Sequence, residues 1–121
     1  MNILLIDDKK SLAAALHFYD GKYTLSLGKN DLFHYARTYD SAIKQMQAIE
    51  WDAILLDFDL GNEFGDEGEL KTGDDILDWL EHNVRHMPLY IFVVSLNSVG
   101  RQRLMFKLAE FKAKGWIKDY D

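Results

Sequence analysis

Three uninterrupted apolar runs, Ile3 to Ile6, Ala53 to Leu56 and Leu89 to Val94, constrain this chain more than any other feature. Each is too short for a helix that buries its whole circumference. Each reads instead as a strand covered on both faces, as the strands of a parallel sheet are. Between and after them, apolar residues fall at helical spacing: Leu12, Leu16 and Tyr19; Ala42, Met46 and Ile49; Ile76, Leu80 and Val84; Leu104, Leu108 and Phe111. Parallel strands need long crossovers, and these amphipathic segments supply them, so the alternation predicts an α/β fold.

A second strand is predicted at Phe33 to Arg37, ahead of a helix capped by Asp40 or Ser41, and a fifth at Trp116 to Ile117. Right-handed crossovers then give a doubly wound, five-stranded parallel sheet of order 2-1-3-4-5, with the first and third strands side by side. A length of 121 residues suits a single domain covering 1–121. Two segments depart from the plain repeat. Tyr23 to Leu27 alternates before a Gly28-Lys29-Asn30-Asp31 turn signal and predicts an inserted hairpin over 21–32. The acidic, glycine-rich stretch 61–73 predicts a long mobile loop after the third strand.

With 48% hydrophobic residues and no cysteine, the chain can bury a core without disulfides, and thiolate zinc sites and thiol nucleophiles are excluded. Met1 leads directly into the first apolar run, without the basic and greasy segments of a secretory signal. The expectation is a cytoplasmic protein with no membrane partner. A formal charge of −6 opposes general binding to double-stranded DNA, although a local basic patch can still hold one phosphate.

Chemistry enters where two of the apolar runs end in acid, at Leu5-Ile6-Asp7-Asp8 and at Leu55-Leu56-Asp57-Phe58-Asp59. Doubly wound folds bind ligands at this carboxyl edge of the sheet. If the two strands are neighbours, the carboxylates converge, and a proton, a basic side chain or a cation must relieve their repulsion. Hard oxygen donors favour magnesium, manganese or calcium, which makes Asp7, Asp8, Asp57 and Asp59 the candidate metal ligands. A calcium hand does not fit, because Asp57-x-Asp59-x-Gly61-Asn62 lacks the glycine at its sixth position and Gly68 occupies the twelfth. The plain alternative is that these aspartates only terminate strands and cap helices.

In this arrangement the chain resembles a two-component receiver domain, with Asp7 and Asp8 after the first strand, Asp57 after the third and Ser95 after the fourth. The resemblance implies that the acidic pair binds magnesium, that Asp57 accepts a phosphoryl group, that Ser95 contacts it, and that a lysine after the fifth strand neutralises it. Lys118 is the candidate for that lysine. The usual Lys-Pro is absent, and the receiver's terminal helix is not expected.

The chain is more closely similar to the cyclic-phosphate processing receiver-like domains. Their blocks run Leu-Asp-Asp-x-Arg, Leu-Asp-His-Asp-Leu-Gly, Thr-Gly-x-Asp followed by Trp-Leu, and His-Ser-x-Asn-Pro-x-Gly-Arg. Here they correspond to Ile6-Asp7-Asp8-Lys9-Lys10, Leu56-Asp57-Phe58-Asp59-Leu60-Gly61, Thr72-Gly73-Asp74-Asp75 with Trp79-Leu80, and Val94-Ser95-Leu96-Asn97-Ser98-Val99-Gly100-Arg101. The resemblance implies a phosphate-bearing partner, a small molecule or a cyclic-phosphate RNA end, and puts Asp8 and Asp57 nearest any catalysis. Phe58 and Val94 replace the two family histidines, and Lys10 and Ser98 its arginine and proline. Cyclic phosphate hydrolysis needs a base for water and an acid for the leaving oxygen, and neither Phe nor Val moves a proton.

Ser95, Asn97, Ser98, Gly100 and Arg101 lie where the fourth helix should begin, so free backbone N–H groups and the helix dipole there favour an anion. Thr72 is a cap or a ligand contact, and Lys10 a further phosphate contact. His82 and His86, four apart, could clasp zinc if they share a helix face. Three functions follow: cation-dependent binding or processing of a phosphate-bearing ligand, a phosphoryl-accepting switch at Asp57, or a catalytically degenerate module that contacts a protein partner.

Overall fold

Burial of the first strand on both faces sets the architecture. The computed structural model describes residues 1–9, 30–64 and 70–121. In it β1 (Asn2–Ile6) lies between β2 (Leu32–Ala36) and β3 (Ala53–Leu56), with β6 (Tyr90–Val93) and β7 (Asp119–Tyr120) completing the sheet. The order β2-β1-β3-β6-β7 is parallel throughout. It is the predicted 2-1-3-4-5 arrangement, with the first and third central strands adjacent.

On one face, Leu4, Ile6, Ile54, Leu56, Ile91 and Val93 are buried under three helices: α1 (Tyr39–Ala48), α2 (Gly73–His82) and α3 (Ser98–Ala113). Met46, Ile76, Leu80, Leu104, Leu108 and Phe111 are among the helical residues of the same cluster. On the other face, Ile3, Leu5, Leu55, Phe92 and Val94 form a second buried cluster. Burying one such side chain contributes about 1.5–3 kcal/mol, so a polar residue placed in either cluster would disrupt the sheet.

Local differences from the sequence-based expectation have local causes. Thr38, not Asp40 or Ser41, caps α1: its Oγ1 accepts from the Ser41 N–H at 3.1 Å, and Ser41 Oγ accepts from the Thr38 N–H at 3.2 Å. The last strand starts two residues beyond Ile117, because Trp116 still donates its N–H to Phe111 O at the end of α3 and Gly115 turns the chain at φ 75°. Ile117 is instead a core residue. The stretch expected as a loop carries an antiparallel ribbon, β4 (Asp59–Phe64) and β5 (Leu70–Thr72), pairing Asp59 with Thr72 and Phe64 with Leu70. The helix around Leu16, Lys10 and nearly all of the predicted hairpin lie outside the described residues. Among the described residues, no helix is long and apolar enough to cross a membrane.

Candidate metal centre

The parallel ladder runs one residue beyond each central strand. Asp7 N–H donates to Ala36 O at 3.1 Å, Asp57 N–H to Ile6 O at 3.0 Å, and Val94 N–H to Leu56 O at 3.0 Å. Asp7 and Asp57, which sequence patterning places just after a strand, and Val94, the last residue of a predicted strand, are thereby fixed in a row along the carboxyl edge. Asp7 and Asp57 are only 0% and 4% exposed. Ionised carboxylates that deep are costly unless something offsets their charge.

Asp7, Asp8 and Asp57 each present one carboxylate oxygen, and the three oxygens lie within 4.8 Å of one another. A magnesium-sized ion about 2.1 Å from each would hold them roughly 3–4 Å apart, so the trio fits a divalent cation after small side-chain adjustments. An all-oxygen donor set selects the same class of ion. Asp7 Oδ1 also accepts the Lys9 N–H at 2.9 Å, which folds the chain after β1 back on the carboxylate. Asp59 stands outside the trio. It is exposed on β4, and its Oδ1 accepts from Asn97 Nδ2 at 3.4 Å.

The segment after β6 reaches the same edge. Asn97 N–H donates to Ser95 Oγ at 3.2 Å, and Asn97 Oδ1 accepts from the Gly100 N–H at 2.9 Å, so Asn97 caps α3 and Ser98 is its exposed first residue. Arg101 Nη1 donates to Val93 O at 2.9 Å, which brings the guanidinium to the end of β6. Thr72 precedes α2, and its N–H donates to Asp75 Oδ2 at 2.7 Å.

Two glycines of the sequence motifs have steric reasons. A Cβ on Gly73 would lie 2.7 Å from Asp57 O, because the start of α2 rests on the backbone after β3; Gly73 N–H donates to Phe58 O at 2.8 Å. A Cβ on Gly100 would lie 2.3 Å from Cγ of Phe58. Phe58 continues the inward alternation of Ile54 and Leu56 and packs against the helix-side core, whereas Val94 belongs to the cluster on the opposite face. The two apolar replacements therefore flank the sheet edge from either side.

Arg37 was missed in the sequence. It follows β2, donates from Nη1 to Asp7 O at 3.2 Å and lies 4.2 Å over the Tyr35 ring. Its only sequence signal was its place as the last residue of the predicted strand Phe33 to Arg37. Lys118, in contrast, sits at the other edge. Its N–H donates to Leu89 O and its ammonium faces the Tyr90 ring, at the start of β6 and not at its end. His82 and His86 do not share a helix face, because α2 ends at His82 and His86 belongs to a following 3-10 turn, stacked on Trp79. Among the described residues, the three aspartates form the sole group of three or more metal-capable side chains within ligating range of each other.

Comparison with protein families matches residues 2–110 to the one described as the cyclic-phosphate processing Receiver domain. The chain belongs to that family. The match spans β1 to most of α3 and so contains the three aspartates, Ser95 and Arg101. Among curated proteins none matches the chain. Membership accounts for the receiver-like sheet and associates the chain with cyclic-phosphate processing, while Phe58 and Val94 mark where this member differs from the family's histidine pattern.

Proposed function

We propose that the protein binds a phosphate-bearing ligand, a cyclic phosphate or cyclic nucleotide, through a divalent cation held by Asp7, Asp8 and Asp57. The observation that carries this reading is the meeting of the three carboxylates, two of them buried, at the sheet edge where such folds take ligands. Magnesium or manganese suits the donor set. When bound, the cation screens phosphate charge and acidifies a coordinated water. In this reading Ser95, Ser98 and Arg101, on the segment after β6, supply donors for the phosphate oxygens. Lys10 follows Asp8 by two residues and adds a cation.

Binding is better supported than turnover. The side chains bracketing the site, Phe58 and Val94, neither accept nor donate a proton, so this chain's own residues hold and orient the phosphate without acid–base chemistry of the family type. A phosphoryl switch at Asp57 has less support, since Lys118 stands at the far edge of the sheet. Calorimetric titration with adenosine 2′,3′-cyclic monophosphate tests the reading. The expected result is binding in manganese, none in chelator, and no ring-opened product after prolonged incubation. Equal binding with and without the metal would contradict it.

A further inference from the structure

Beside the cation edge, α2 and α3 diverge around a groove of about 860 Å³, a size that accommodates a nucleotide-sized ligand. Its upper end is the ring of Phe58, the residue next to Asp57, and its α3 wall presents Val99 and Phe106, which are 68% and 74% exposed. Large apolar side chains this exposed, two helical turns apart on one stripe, ask for a flat apolar occupant. The Phe58 ring cannot swing toward α3, because Gly100 already touches it, and the Arg103 guanidinium lies 5.8 Å from its centroid. Arg103 itself is held by Asp74 at 2.6 Å.

The charge of the groove decides which part of a ligand it takes. Four carboxylates (Asp74, Asp75, Asp78 and Glu110) line it against two cations, Arg103 and Lys107. A phosphate is repelled there. A neutral planar ring whose exocyclic amino groups donate to carboxylates or to the Gln102 amide is not. We propose that this groove is a nucleobase subsite: the base of a nucleoside cyclic phosphate lies against Phe58, Val99 and Phe106 while its phosphate occupies the cation edge. This deepens the proposed function and rests on it.

The test compares two probes in manganese, cytidine 2′,3′-cyclic monophosphate and the base-free glycerol 1,2-cyclic phosphate, on wild type and on Phe106→Ala. Stacking of one base supports a preference of about tenfold or more. The expected result is that preference in wild type and its loss in Phe106→Ala, with base-free affinity unchanged. Because Phe106 is exposed, the variant should fold, and its thermal midpoint checks that. Equal affinity of wild type for the two probes overturns the subsite and leaves the cation–phosphate reading standing. Failure of both probes to bind overturns both.

Discussion

Gly73 shows how narrowly the residue scale is set. With its Cβ position 2.7 Å from a backbone carbonyl of Asp57, Gly73→Ala has nowhere to relax except by moving α2 or the Asp57 backbone itself. The expected cost is about 1–3 kcal/mol, as for other overpacked sites, read from a denaturant midpoint, together with weaker manganese binding. An alanine variant with unchanged stability and metal affinity would show that the helix does not set the carboxylate. The sequence made this position visible as part of a Thr-Gly motif, but not the reason for it: a close backbone approach has no signature in hydrophobic periodicity. The three aspartates were legible because a carboxylate that ends a fully apolar run has only the sheet edge to occupy. Arg37 was not, since its role depends on where the carbonyl of Asp7 falls across a strand pair.

At the scale of elements, the strands that are apolar on both sides were the readable ones. β1, β3 and β6 differ from their predicted bounds by at most two residues, because burial on two faces leaves no competing pattern. The β4–β5 ribbon is held by backbone pairing over a polar, glycine-containing sequence, so periodicity hid it. β7 was displaced because the sequence cannot say that Trp116 still satisfies a helix carbonyl. At α3 it is Asn97, and not Ser98, that accepts the Gly100 N–H. Asn97→Ala should accordingly destabilise by about 0.5–2 kcal/mol, whereas Ser98→Ala should stay within about 0.5 kcal/mol as exposed substitutions do. Chemical denaturation of the two variants side by side distinguishes these positions, and a reversed ranking would contradict the assigned cap.

For the whole molecule, the proposed metal binding would be linked to folding. An ion that binds only the folded chain stabilises it by about 2.7 kcal/mol at a hundredfold excess over its Kd, so manganese should raise the thermal midpoint by several degrees. Carboxylate oxygens of three residues within 4.8 Å of one another repel, and a bound cation would relieve that repulsion. Asp8→Asn should therefore unfold later than wild type in chelator and lose most of the manganese-dependent rise, a reversal that a purely structural aspartate would not produce. The central claim is that Asp7, Asp8 and Asp57 together hold one divalent ion. Its most direct test is a manganese titration followed by electron paramagnetic resonance on wild type and Asp57→Asn. One ion should bind per wild-type chain and none to the folded variant at the same concentrations; a wild type that binds no ion, or a variant that binds it equally well, would contradict the account.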